Sequence, residues 1–219
     1  MGAAGWEPST RLDRLVAIKL LPLELSVEED FAQRFRREAH AMGKLSHPNI
    51  VALHDFGQTN DGHFFIVMEF VEGADLQQVI RDGALAPSQA FGIVRQICDA
   101  LEYPHVHGFV HRDVKPGNVL LDTGFKVAKV SDFGVARLTG ETEPELLKTV
   151  AGGVVGTPAY IATEQIENGS TADHRADIYS IGVMLYELLT GEIPRGAFAP
   201  PSAKSEVDRH IDGVVEKAM

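Results

Sequence analysis

The amino-acid sequence predicts an α+β fold built from two unlike parts, and three observations carry that reading. Residues 11–70 hold short apolar runs of strand length around one amphipathic helix. Residues 71–219 are mostly helical in pattern. Between apolar neighbours, Val110 before and Val119-Leu120-Leu121 after, stands a compact polar set: His111-Arg112-Asp113-Val114-Lys115-Pro116-Gly117-Asn118. Fourteen residues after Asn118 comes Asp132-Phe133-Gly134.

Taken in order, residues 1–10 are rich in Gly and Ala and carry Pro8, which predicts a poor strand. Leu15 to Leu21 reads as a strand in which Lys19 points to the face opposite Ile18 and Leu20. Ser26 to Leu45 reads as a helix. Ser26-Val27-Glu28-Glu29 has the form of a capping box, and Phe31, Phe35, Ala39, Met42 and Leu45 fall on one face, with Glu38 at its flank. His47-Pro48-Asn49-Ile50 is a turn. Val51–Phe56 and His63–Phe70 form two strands around Asn60-Asp61-Gly62, a hairpin signal.

Leu76–Arg81 is a short helix. A longer one runs from Pro87 to Tyr103, with Pro87 at its first turn. Pro104 is expected to end or kink it before the His107-Gly108 turn. Cys98 follows the apolar pattern of that helix and reads as a buried core thiol. Ile178–Leu189, within Asp173–Thr190, is apolar enough to be buried, with Gly191 in a C-cap position. Pro194–Ser205 is loop, and Val207–Met219 begins another helix.

Composition bounds the function classes. A length of 219 residues allows one or two domains with a substantial core. A net charge of −11 argues against nucleic acid as the main partner. The single cysteine excludes a disulfide within the chain and fits a reducing compartment. No signal peptide pattern opens the sequence, and no apolar stretch approaches the ~18 residues that a membrane span requires.

An unpaired charge in an apolar frame is costly, so the polar set needs a task. Phosphoryl transfer fits it. Asp113 would accept or orient a hydroxyl proton. Asp132 and the amide oxygen of Asn118 would hold Mg2+, a hard cation that takes oxygen ligands. Lys115 would neutralise charge on the moving group. Positioning and electrostatics then carry the reaction.

The same residues resemble the catalytic loop and metal loop of the eukaryotic-type protein kinases, and Lys115 is similar to the serine/threonine branch. Val16-Ala17-Ile18-Lys19, Glu38 on the following helix, His-Arg-Asp with its Asn, Asp-Phe-Gly and Gly156-Thr157-Pro158-Ala159-Tyr160 occur in the family's order. The resemblance runs from about Arg11 to the end. It implies a two-lobed fold, with a small sheet and one helix over 11–70 and a mostly helical lobe over 71–219. It also implies transfer of the ATP γ-phosphoryl group to Ser or Thr hydroxyls of a protein, with ATP and Mg2+ as cofactors.

By that resemblance Lys19, paired with Glu38, holds the α- and β-phosphates. Read alone, the two are an outer-face lysine and a surface charge. Met68 is the gatekeeper, Glu69 and Val71 bond adenine through their backbone, Asp75 reaches the ribose, and Ala17 and Leu120 sandwich the purine; core packing alone would also account for Met68 and Val71. His111 is structural. Arg112 is a candidate for a phosphate on the activation segment, Asp132 to Glu164. Within that segment Thr139, Thr142 and Thr149 are candidate phosphorylation sites, Thr149 first, and Thr157 bonds Asp113 and Lys115. Asp177 accepts backbone amides from the catalytic loop or simply caps its helix. Gly117 replaces an acidic residue common in basophilic relatives, which implies no strong demand for Arg just before the phosphorylated residue.

The chain departs from the family's pattern at several points. Only Gly2 falls where a glycine of the nucleotide-covering loop is expected, so the chain reads as truncated at that end. The last helices of the larger lobe are also absent. Ala162-Thr163-Glu164 stands where the family has Ala-Pro-Glu. The alternative is therefore a truncated, catalytically incompetent kinase-like interaction module. An aminoglycoside- or lipid-type phosphotransferase is a further alternative, against which Lys115 and Gly-Thr-Pro-Ala-Tyr argue. The motif set and the lone Cys98 point to the cytoplasm, and a membrane anchor in a longer parent stays open.

Overall fold

The computed structural model describes residues 4–9, 14–27, 30–83, 85–133, 158–168 and 172–219. Four strands form the first sheet: β1 (Ala4–Ser9), β2 (Arg14–Leu20), β3 (Leu53–Gln58) and β4 (Phe64–Glu69). They are antiparallel in the order β1-β2-β4-β3. The expectation of a poor strand at the start is corrected here. β1 pairs with β2 along its whole length, from Ala4 opposite Lys19 to Ser9 opposite Arg14. It lies at the edge of the described sheet, the place where a proline is tolerated, and pairing outweighs its weak local preference.

Helix α1 (Phe31–Met42) packs on this sheet. It begins at Phe31, not at Ser26. Leu23–Val27 is a 3-10 turn, and Asp30 at the N-cap makes no side-chain cap bond. Glu28 and Glu29 of the expected capping box lie outside the described residues. The apolar stripe, rather than a cap, fixes the helix. Phe31 and Phe35 are fully buried against Phe64, with ring centroids 5.1 and 4.7 Å from it. Each such side chain contributes roughly 1.5–3 kcal/mol on burial.

The second sheet, β5 (Gly73–Asp75), β6 (Val119–Asp122) and β7 (Ala128–Val130), is antiparallel in that order. Glycine at 73 answers a close approach, since a Cβ there would sit 1.8 Å from the Leu121 carbonyl oxygen. Around it lie α2 (Leu76–Arg81), α3 (Pro87–Val106), α4 (Thr163–Asn168), α5 (Arg175–Thr190) and α6 (His210–Ala218). Asp75 caps α2, its Oδ1 accepting from Gln78 N at 2.8 Å. α5 is buried along most of its length and ends at Gly191 in the left-handed region, φ 74°.

Two further expectations are corrected. α3 continues through Pro104 to Val106. Pro104 lies in the last turn, where one missing N–H interrupts little, and its carbonyl accepts from His107 N and Phe109 N to close the helix. Cys98 is exposed on α3 rather than buried in the core. Surrounding protein and then Asp99 push its thiol pKa up, so it is not an activated thiolate either.

The connector after α1 is stitched to the second sheet. Val130 N donates to Asn49 O at 2.8 Å, Val51 N to Val130 O at 2.9 Å, and Asn49 Nδ2 to Ala128 O at 2.8 Å. Among the described residues, no helix is long and apolar enough to cross a membrane.

Candidate active site

The polar set lies where the two sheets meet. Pro116–Asn118 forms a 3-10 turn leading into β6, and Asp132 follows β7. Because β6 and β7 are antiparallel partners, Val119 opposite Val130, the residues flanking them become neighbours. Ser131 N donates to Asn118 O at 2.9 Å and locks that proximity. Asn118 Nδ2 donates to the Asp113 carbonyl oxygen at 2.8 Å and to Asp113 Oδ2 at 2.9 Å. Its amide oxygen is thereby the atom left to meet a cation. Lys115 Nζ bonds both oxygens of Asp113, at 2.9 and 2.7 Å. Lys19 Nζ bonds Asp132 Oδ2 at 2.8 Å. One continuous chain of contacts thus joins Lys115, Asp113, Asn118, Ser131, Asp132 and Lys19.

Two of these backbones are held in the left-handed region: Arg112 at φ 69° and Asp132 at φ 62°. Such conformations cost on the order of 1–3 kcal/mol each and persist only where the surroundings impose them. Asp177, wholly buried in the first turn of α5, imposes the first. Its Oδ1 accepts from Arg112 N at 2.7 Å, and its Oδ2 from His111 N at 2.9 Å and from His105 Nε2 at 2.7 Å. The helix N-terminus favours this anion. On the other side, Gln165 Nε2 donates to Arg112 O at 2.8 Å.

His111 is buried against Phe133, the ring centroids 4.5 Å apart and the planes tilted by 59°. Asp113 N donates to its Nδ1 at 3.2 Å, so Nε2 carries the proton and donates to Ser131 O at 2.8 Å. Both ring nitrogens are engaged with backbone, which suits a structural residue and not a proton carrier.

Ala17 and Met68 are directly opposite one another across β2 and β4, and Asp75 and Leu120 across β5 and β6. The two pairs bracket the connector that holds Val71. Among the described residues, Val71 enters no backbone–backbone hydrogen bond. The Glu69 N–H is taken by Ala52 O at 2.8 Å, which leaves its carbonyl to offer. Glu38 is buried on α1, and its Oε1 accepts from Arg37 Nη2 at 3.1 Å while Lys19 is drawn to Asp132. Thr139, Thr142, Thr149 and Thr157 lie outside the described residues.

Sequence reasoning overlooked His105, Gln165, Ser131 and Lys129. Each acts on a distant backbone or side chain, and only His105, a polar residue in the last turn of an apolar helix, left a trace in the pattern.

Just before α4, Tyr160 is clamped onto α5. Its hydroxyl donates to Glu187 Oε2, and Ser180 Oγ donates to its carbonyl at 2.7 Å. Burial raises the pKa of Glu187 above its ordinary 4.5, against the opposing bond from Tyr160. Burial and Glu187 raise that of Tyr160. The folded state therefore holds the Glu187 proton more tightly than the unfolded chain does. Its stability falls as pH rises from 4.5 toward the raised value. Glu187→Gln keeps an acceptor for Tyr160 and removes this titration. In urea unfolding, the stability of the variant relative to wild type should rise between pH 4.5 and neutrality; a pH-independent difference would contradict this.

Comparison with known proteins agrees with this geometry. The family model described as protein kinase domain matches residues 9–216. Serine/threonine-protein kinase PknB of Mycolicibacterium smegmatis is 41% identical over 228 residues, covering 95% of this chain and 36% of that protein. Serine/threonine-protein kinase pkn3 of Myxococcus xanthus is 41% identical over 204 residues, covering 91% of this chain and 37% of that one. The chain thus spans little more than a third of the length of these curated relatives. The crystal structure of the Mycobacterium tuberculosis PknI kinase domain superposes with a TM-score of 0.76 at 29% identity, covering 100% of this chain and 82% of that one. Rad53 1-466 in complex with AMP-PNP superposes with a TM-score of 0.75 at 25% identity, covering 99% and 56%. The chain belongs to the protein kinase domain family.

Proposed function

We propose that this domain transfers the γ-phosphoryl group of ATP to Ser or Thr hydroxyls of a protein. The observation that carries the reading is the unbroken chain of contacts from Lys115 through Asp113, Asn118, Ser131 and Asp132 to Lys19. Such a chain sets a proton acceptor, two oxygen ligands and two ammonium groups around one space. In this reading Ala17, Met68, Val71, Asp75 and Leu120 would contact adenosine, with Glu69 offering its carbonyl. The neighbour solved with AMP-PNP supports a nucleotide ligand.

In this reading Asp113 orients the substrate hydroxyl and accepts its proton, and Lys115 neutralises the γ-phosphoryl oxygens. Lys19, with Glu38 as its family partner on α1, would hold the α- and β-phosphates. Asp132 and the freed amide oxygen of Asn118 are hard donors that suit Mg2+. Two protein ligands are what that ion commonly takes when phosphates complete its shell. Mg2+ held there supplies charge neutralisation at the phosphate oxygens.

The test is transfer of radiolabelled γ-phosphate from ATP to a generic protein acceptor, followed by phosphoamino-acid analysis. Mg2+-dependent label on Ser or Thr is expected. Label on Tyr alone, or on aminoglycoside or lipid acceptors but not on protein, would overturn the reading.

A further inference from the structure

Among the described residues, two ion pairs cross between the first sheet and the second: Lys19 with Asp132, and Glu69 with Lys129. Both engage the same short segment, β7 and the residues after it. The first is used by the proposed chemistry. The second is not, and its geometry is specific. Lys129 Nζ lies 3.0 Å from both carboxylate oxygens of Glu69. The Glu69 carboxylate also accepts from Ala52 N at 3.3 Å, while Glu69 N donates to Ala52 O at 2.8 Å. Glu69 is therefore gripped by the connector through backbone and side chain, and by β7 through Lys129. Lys129 stands opposite Leu120 and three residues before Asp132.

We propose that Lys129 is a positioning residue that fixes the span between the adenine-contacting backbone at Glu69–Val71 and the metal ligand Asp132. This rests on the function proposed above. The backbone ties of Asn49 and Val51 to Val130 hold the connector to β7. Lys129 extends that tie to the connector between the two sheets. Without it, adenine contact and metal ligand are coupled less directly, through the ties of Asn49 and Val51 to Val130 and of Ala52 to Glu69, and small misplacements of bound phosphates are costly in rate. The charged neighbours on the remaining side are Arg14 and His54. His54 on β3 feels the Glu69 charge and also that of Arg14 on β2, and neither supplies a bond to the Glu69 carboxylate among the described residues.

The span is tested by comparing ligands that do and do not cross it. Adenosine reaches only the adenine end, whereas Mg·ATP reaches both. Binding of each is measured by thermal shift and by titration to wild type, Lys129→Met and the charge-keeping Lys129→Arg. In Lys129→Met, Mg·ATP affinity should fall roughly 3–10-fold, adenosine affinity should stay within about 2-fold, and the unliganded melting temperature should change little, because a part-exposed ion pair adds little stability. Lys129→Arg, which can still pair with Glu69, should keep most of the Mg·ATP affinity. Equal loss of both ligands, or no loss of either, in Lys129→Met would overturn the inference and leave the kinase reading intact. An equal loss of Mg·ATP affinity in Lys129→Arg and Lys129→Met would overturn it as well. Absence of Mg·ATP binding by the wild-type chain would overturn both.

Discussion

Replacing Asp113 with Asn is expected to lower the rate of phosphotransfer by roughly 10²–10⁴-fold, the range that a positioned proton acceptor contributes. The substitution is nearly isosteric. It removes the carboxylate that Lys115 holds at 2.7 and 2.9 Å and that Asn118 contacts at 2.9 Å. It leaves the backbone carbonyl that accepts from Asn118 Nδ2 at 2.8 Å. The loop should therefore keep its shape. The Asp113–Lys115 pair is partly exposed, so its loss costs little stability, about 0–1 kcal/mol. Steady-state kinetics should show a fall in kcat with the KM for ATP near its wild-type value. A variant retaining more than about a tenth of wild-type kcat would remove Asp113 from the chemistry.

Asp177→Ala should have the larger effect on the molecule as a whole. Three donors, Arg112 N, His111 N and His105 Nε2, converge on this buried carboxylate. Leaving buried groups unpaired costs about 1–3 kcal/mol each, and breaking a buried charged network about 3–5 kcal/mol. Urea unfolding should report a loss of that order. Arg112 is also released from its left-handed backbone, so Asp113 is no longer aimed, and phosphotransfer should drop at least 100-fold at temperatures where the variant is still folded. Loss of stability with unchanged kcat would mean that Asp177 is only a helix cap.

What the sequence made legible follows the physics of each part. The polar set could be read because carboxylates, an amide and lysines in an apolar frame require a common task. Antiparallel pairing of β6 and β7 brings its two halves together from fourteen residues apart in sequence. Helices with a strong apolar stripe, such as α1 and α5, were legible in face if not in start. Phe31, Phe35 and Ala39 are buried as their spacing implies, whereas the 3-10 turn before α1 answers packing that no local motif encodes. β1 was illegible because its stability comes from a partner strand rather than from its own residues. Cys98 misled because an apolar helical pattern does not fix which flank of the stripe meets solvent. Lys19 was read with Glu38 as partner. In the structure its ammonium meets Asp132, a choice that depends on the relative placement of α1 and the metal loop, which spacing cannot supply. His105 and Lys129 escaped notice because each acts through a residue dozens of positions away.

The central claim is that Lys19, Asn118 and Asp132 form a nucleotide–metal site within these residues. The most direct test is the thermal unfolding of the chain with and without Mg·ATP, beside Asp132→Asn. A ligand at about a hundred times its dissociation constant adds roughly 2.7 kcal/mol to the folded state, which for a domain of this size is about 5–10 °C in Tm. A shift of that size, dependent on Mg2+ and lost in Asp132→Asn, is the predicted result. An equal shift in the variant, or no shift in the wild-type chain at saturating Mg·ATP, would contradict it.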